Sequence, residues 1–148
     1  MSSSRTAHSV SVAGVVLDER NRVLVIQRRD NGQWEPPGGV LELGETFQEG
    51  VRREVLEETG ALVDVGQLTG VYKNMSRAIV ALVFRCSVVS WTPVQQTDEA
   101  AVVDWLSIDA ALERMAEVYK IRVLDALQSN DFTHYREHDG VNLLLHST

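Results

Sequence analysis

Gly39-Val-Leu-Glu-Leu-Gly-Glu45-Thr-Phe-Gln-Glu-Gly-Val-Arg-Arg53-Glu54-Val55-Leu-Glu57-Glu58-Thr-Gly60-Ala61 is the stretch on which the reading of this chain turns. Glu54, Glu57 and Glu58 stand at i, i+3 and i+4, so on a helix they project from one side. Like charges held that close repel one another. A chain that keeps three of them together calls for a cation, and all-oxygen ligation suits Mg²⁺ or Mn²⁺. A glutamate run on a helix is more often a plain solvated face, so the surrounding residues have to decide.

The helix is well specified. Thr46 followed by Glu49 forms a capping box and places the N-cap at Thr46. Gly60 is the expected residue just past the C-terminus, which gives a helix over about Phe47 to Thr59. At 100° per residue Phe47, Val51 and Val55 form an apolar stripe, with Leu56 on its flank. The three acids lie beside that stripe and not opposite it, a placement suited to the lining of a cleft.

Working outward, Val10 to Leu17 and Val23 to Gln27 read as strands joined by the polar Asp18–Asn21 turn, a hairpin pattern. Arg28 to Pro37 reads as a polar loop carrying Trp34. Beyond the helix, Leu62 to Met75 is extended and interrupted by Gly66 and Gly70. The apolar run from Ala78 to Val89 is the clearest strand, and Ala101 to Leu106 is a short one after a loop with Pro93. Helical spacing returns from Asp109 to about Gln128, in one helix or two, with Leu112, Met115, Ile121, Leu124 and Leu127 as the buried side. Asn130 to Asp139 reads as polar loop. Val141 to Leu145 is a short apolar segment, suited to an edge strand or a pocket cover. The order predicts an α/β fold, a sheet core flanked by helices.

The chain has 148 residues, enough for one domain with a substantial core. We divide it into a disordered tail over residues 1–7 and a single domain over 8–148. With 44% hydrophobic and 24% charged residues the composition is that of a soluble globular protein. A net charge of −7 argues against sequence-independent binding of a nucleic acid polymer, which relies on basic surface. The N-terminus has no apolar signal core and no run reaches membrane-spanning length, so the expected location is cytoplasmic with no membrane partner. Cys86 is the single cysteine and shares a strand face with Val80, Leu82 and Phe84, as an inert core thiol would. His8, His134, His138 and His146 show no ligand spacing with the acids and are expected at the surface.

The quoted stretch resembles the signature box of the Nudix hydrolases: Gly, five residues, Glu, seven residues, Arg-Glu, an aliphatic, any residue, Glu-Glu, any residue, Gly, and a small or aliphatic residue. Every fixed position is matched, with Val55 and Ala61 in the apolar slots. At residue frequencies of roughly 5–7%, its seven Gly, Glu and Arg positions coincide at one register about once in 10⁸ to 10⁹. The Pro36-Pro37-Gly38-Gly39 lead-in and the strand order extend the likeness to most of the chain.

The resemblance implies an α/β/α sandwich with a mixed central sheet, and hydrolysis of a diphosphate linked to another group. It implies Mg²⁺, with Mn²⁺ as the substitute, held by Glu54, Glu57, Glu58 and the Gly38 carbonyl. Glu57 and Glu54 are then the catalytic carboxylates, and Glu45 and Arg53 brace the loop against the helix, since Arg53 is within i+4 reach of Glu57. Family members often draw a further acid from a loop after the long strand, as base or extra ligand. Glu99 is the candidate here. Gly39 and Gly60 take supporting roles. For substrate phosphates, Arg28 and Arg29 leave the second strand towards the box, while Lys73 and Arg77 flank the next turn. Trp34 is placed either to stack on a base or to pack its own loop, and Trp105 in the core.

The small-molecule substrate is first a (deoxy)nucleoside triphosphate, such as an oxidised nucleotide. The alternatives are ADP-ribose or a nucleotide sugar, or a non-catalytic nucleotide-sensing module. The Ser76–Ile79 stretch lacks the proline or tyrosine that marks some subgroups. An isoprenoid diphosphate isomerase on the same fold would need Cys86 reactive. Many members are dimers, so a homodimer is the expectation, with no interface legible in the residues.

Overall fold

A computed structural model describes residues 7–128 and 131–145. The expected tail (residues 1–6 of it) and His146 lie outside the described residues. Eight strands and three helices follow in the order β1 (Ser9–Leu17), β2 (Arg22–Arg28), β3 (Trp34–Glu35), β4 (Gly38–Val40), α1 (Phe47–Thr59), β5 (Ala61–Asn74), β6 (Ile79–Trp91), β7 (Ala100–Ser107), α2 (Ile108–Arg114), α3 (Glu117–Leu127) and β8 (His134–His138).

The central strands are buried on both faces, which is why they read as near-continuous apolar runs. Along β1, Val12 and Val16 face one core layer, while Ala13 and Val15 face the other. β2 repeats the pattern, with Leu24 and Ile26 on the first side and Val23 and Val25 on the second. Val51 and Val55 of α1 close the first layer. Ala111, Met115, Val123 and Ala126 of the α2–α3 arm close the second. The sheet lies between α1 and that arm, which is the α/β/α arrangement.

The sheet is mixed. β1 runs parallel to β6, from Ser9 opposite Ile79 to Leu17 opposite Ser87. β5 is antiparallel to β6, with register breaks around Val65, Leu68 and Gly70 that match the interruptions expected near Gly66 and Gly70. The expected β1–β2 hairpin is barely paired, at Leu17 opposite Val23 alone. The reason is steric: β4 occupies the same edge of β1 over Ser11–Ala13, so β2 turns away. It pairs with β7 and β3 instead. The sheet therefore splits beside β1, and part of the loop expected over residues 28–37 becomes β3.

Three other expectations need correction. Phe47 is 50% exposed, so the stripe of α1 is Val51, Val55 and then Glu58 and Thr59, all buried. Side chains lean towards a helix N-terminus, and Phe47 in the first turn overshoots the sheet. Leu124 is 39% exposed. Its neighbour Asp125 is buried instead, accepting hydrogen bonds from the Tyr72 hydroxyl at 2.7 Å and from Arg136 twice at 2.8 Å. The segment expected as polar loop over 130–139 contains β8, an edge strand parallel to β5. Its polar residues hide the strand because their burial depends on Asp125, which no local pattern reveals. The last apolar segment makes a single bridge, His138 to Leu143, and Val141 covers part of a cavity.

Candidate active site

α1 is fixed at both ends by its own sequence. Thr46 Oγ1 accepts from the Glu49 amide at 3.2 Å, and Glu49 Oε1 accepts from the Thr46 amide at 2.8 Å. Gly60 ends the helix at φ 79°, a left-handed conformation that favours glycine, and its amide reaches the Leu56 carbonyl at 2.9 Å.

The loop before α1 is tied to it by Arg53. Its guanidinium donates to Glu45 at 2.6 and 3.0 Å, to Glu54 at 2.8 Å, to Glu57 at 3.4 Å and to the Val40 carbonyl at 3.1 Å. The hydrogen bond from Arg53 holds the Glu45 carboxyl below its ordinary range. Glu45 also accepts from the Glu42 amide at 2.8 Å, so one arginine and one glutamate lock the entry loop.

The three acids differ in environment. Glu57 is open, with 62% of its side chain exposed, and Glu54 is mostly covered. Glu58 is only 5% exposed, and its Oε1 is buried with no hydrogen-bond partner. Burial, then the hydrogen bond to Glu54 and the nearby charges of Glu54 and Glu99, push its carboxyl up to about 9. An orphaned buried carboxylate oxygen among like charges is what a divalent cation relieves, so the donor set fits one. Among the described residues no group of three acids, histidines or cysteines converges at ligand spacing. Arg53 draws Glu54 and Glu57 to itself, and the acids ring an opening of about 250 Å³ instead of closing on a point. Thr97, Asp98 and Glu99 form its other wall.

Glu99 is thus brought to the α1 acids, as expected, and Arg29 is what holds its loop. The Arg29 amide donates to the Glu99 carbonyl at 2.8 Å, and its guanidinium to the carbonyls of Thr97 at 2.9 Å and Ala100 at 3.2 Å. Arg29 was expected on substrate phosphates; its donors are turned to the chain instead.

A second, larger cavity of about 610 Å³ adjoins the acidic opening. Gly38 and Gly39 form the seam. Gly39 lines the cavity, and a Cβ there would lie 2.6 Å from the Glu54 carboxylate. Gly38 also lines it. The β1–β4 bonds fall at Val10–Leu41 and Gly14–Pro37, so by antiparallel alternation the Gly38 carbonyl turns away from β1.

Of the other predicted contacts, Arg28 and Arg77 line the cavity. Arg28 is held there by Asp30 at 2.9 and 2.8 Å and by Glu35 at 3.5 Å. Lys73 follows Tyr72 in β5 and so projects from the opposite face to that cavity-lining residue. Trp34 packs in the second core layer under Arg114, and Trp105 packs in the first, edge-on to Trp91 at 6.0 Å. His8 is exposed as expected, whereas His134 is largely covered and His138 is buried in the cavity wall. Cys86 is free and buried, and burial pushes its thiol up to about 12. No nucleophile is available there for an isomerase. Sequence reasoning missed Glu35, Tyr72, Tyr119, Arg122 and His138 as cavity residues. They come from β3, β5, α3 and β8, and no local spacing links them.

Fold and site together define a class: an enzyme that meets an anionic substrate with carboxylates suited to a cation, beside a cavity able to hold an attached group. The sequence pattern of the NUDIX domain matches residues 7–127. A "MutT-like protein" of Streptomyces ambofaciens is 58% identical over 93% of this chain and 88% of its own. An "ADP-ribose pyrophosphatase" of Methanocaldococcus jannaschii is 38% identical over 55% of this chain and 52% of its own. A "Putative 8-oxo-dGTP diphosphatase" of Bacillus subtilis is 31% identical over 63% and 62%. A crystal structure of a NUDIX hydrolase from Nitrosomonas europaea superimposes with TM-score 0.77 at 22% identity, over 91% of this chain and 82% of that one, a likeness of fold.

The chain belongs to the Nudix family and is a pyrophosphatase acting on acid anhydrides of nucleoside diphosphate derivatives. Family members generally use divalent metal ions. Among the described residues no helix is long and apolar enough to cross a membrane.

Proposed function

We propose that the protein hydrolyses a (deoxy)nucleoside triphosphate, such as an oxidised nucleotide, with Mg²⁺ as the resident ion and Mn²⁺ as its substitute. The observation that carries this reading is the seam at Gly39, which joins an acidic opening with an orphaned Glu58 oxygen to a cavity of about 610 Å³. That volume lies in the range of small-molecule sites. Glu54, Glu57, Glu58 and the Gly38 carbonyl would hold the ion. When bound, it neutralises the diphosphate and acidifies a water for attack at phosphorus.

The chain's own residues do the rest. Arg53 fixes the rotamers of Glu54 and Glu57, and Arg29 presents Glu99 across the opening, where its carboxylate can take a proton from the attacking water. Arg28 and Arg77 face the cavity with charge for phosphate oxygens. In this reading the protein works in the cytoplasm on free nucleotides, consistent with a net charge of −7. The Methanocaldococcus relative's name supports ADP-ribose as the second reading.

The test is a hydrolysis panel with Mg²⁺ and with Mn²⁺, products read by mass spectrometry, covering nucleoside triphosphates, 8-oxo-dGTP, ADP-ribose, nucleotide sugars and dinucleoside polyphosphates. Metal-dependent cleavage that Glu57→Gln abolishes, with the fold intact, is the expected result. Full activity in that variant would remove the assignment, and a silent panel would favour the sensing module.

A further inference from the structure

Six successive amides, from Asp139 to Leu144, each find an acceptor. Those of Asp139 and Gly140 donate to the Asn142 carbonyl at 3.2 Å and to His138 Nδ1 at 3.0 Å. Those of Val141 and Asn142 share Asp139 Oδ1, at 2.9 and 2.7 Å. Leu143 donates to Glu117 Oε2 at 3.2 Å, and Leu144 to the Glu137 carbonyl at 2.9 Å. Yet the residues from 139 to 145 are exposed, except for a half-buried Leu143. Hydrogen bonds open to solvent, with little apolar burial behind them, mark segments that open at low free energy.

This segment lies across the large cavity. Gly140 and Val141 line it, and so do Ala116 and Val118 on either side of Glu117, the first residue of α3. Its base is fixed. Ser76 Oγ donates to the Asp139 carbonyl and the Met75 amide to the His138 carbonyl, both at 2.8 Å. The segment therefore leaves the β5–β6 turn on one rim and reaches the start of α3 on the other. Between them Gly140 has φ 100°, in the left-handed region. A Cβ there would meet nothing nearer than Asn74 Nδ2 at 3.6 Å, so backbone freedom and not space calls for glycine. Val141 is 69% exposed although it lines the cavity, an apolar side chain at the mouth with little packed against it.

We propose that residues 140–145 are a strap that closes over the group held in the cavity, turning at Gly140 and latched to Glu117. The inference rests on the reading above, in which that cavity holds the group attached to the diphosphate. Closure gives Val141 a surface to cover, and that burial offsets the ordering of the strap. At the far rim the tie is one amide on the carboxylate of an exposed Glu117, light enough to break for entry and release. The competing reading is a surface loop that rounds off the fold, and such a loop has no reason to respond to cargo.

Hydrogen exchange read by mass spectrometry tests this on the full chain, with ADP-ribose and dGTP as probes and Ca²⁺ in place of Mg²⁺ to slow turnover. Either probe should slow exchange over residues 140–145 by roughly tenfold or more. Without a probe, Glu117→Ala and Gly140→Ala should each speed it by about threefold or more and leave β1 and α1 unmoved. Both variants should also weaken probe binding in calorimetry by roughly three- to tenfold. A loop that only rounds off the fold would loosen in the variants and leave affinity alone. Protection of β1 and α3 around the cavity without protection of the strap overturns the inference. So does unchanged affinity in both variants. If neither probe protects the cavity at all, the nucleotide reading fails, and the variants without probe decide separately. Faster exchange confined to residues 140–145 then sustains a hinged and latched strap, and unchanged exchange removes it.

Discussion

The Arg53 guanidinium grips both oxygens of Glu45, at 2.6 and 3.0 Å, across eight positions of chain, and with its remaining nitrogen holds Glu54 at 2.8 Å. The entry loop and the acid cluster are thereby set by one side chain. Arg53→Lys keeps the charge but loses the fork. We expect kcat to fall by roughly 10–100-fold with little change in the melting temperature. Steady-state kinetics beside a thermal melt check this; unchanged kcat would mean the loop holds without it.

Gly39→Ala should act on the metal and not on the fold. The added methyl would stand 2.6 Å from the Glu54 carboxylate and force it aside. The apparent Mg²⁺ affinity, measured as activity against Mg²⁺ concentration, should weaken by roughly 10–100-fold. The same Mg²⁺ dependence as wild type would show that Glu54 is not a ligand.

Cys86 should be silent to thiol reagents in the native state and react once denaturant is added. It is buried, and burial pushes its thiol up to about 12, so the thiolate needed for reaction is scarce. Cys86→Ser should retain activity and lose about 1–3 kcal/mol of stability, because a hydroxyl wants hydrogen bonds more than a thiol does. Rapid labelling of folded protein would contradict the packing beneath α1.

His138 makes stability depend on pH with a definite sign. Its folded pKa is depressed below the ordinary 6.5, by burial first and then by Arg122, with Asp139 opposing. Its contribution is therefore present above 6.5 and lost as pH falls through the folded value. Chemical denaturation at falling pH should show wild type weakening below that point more than His138→Gln does. Equal slopes for the two would place the acid sensitivity elsewhere.

How much of this was legible in the chain depends on distance along it. The α1 caps, the Arg53 brace and the gathering of Glu54, Glu57 and Glu58 are all written within Gly39–Ala61, where spacing fixes geometry. Glu99 could be picked out only through the family resemblance, which implies an acid from a loop after the long strand; a charged loop before a strand does not by itself single it out. Arg29 could not be assigned, since the partners of its guanidinium, the Gln96 side-chain oxygen and the backbone carbonyls of Thr97 and Ala100, lie 67 to 71 positions away. β8 was hidden for a related reason. Its polar side chains become core material only where Asp125 neutralises Arg136 and Tyr72 supplies a hydroxyl. The failed β1–β2 hairpin has the same root, a three-residue strand, β4, claiming the edge first.

That small strand has a consequence for how the molecule is divided. By prising the sheet apart beside β1 it leaves a gap whose rim includes β1, β5, α3 and β8, while the acids of the cutting edge come from α1 and from the loop before β7. A change in β8 or α3 alters the wall of that gap and leaves the acids of α1 where they are, so cargo and blade are separable within this one chain.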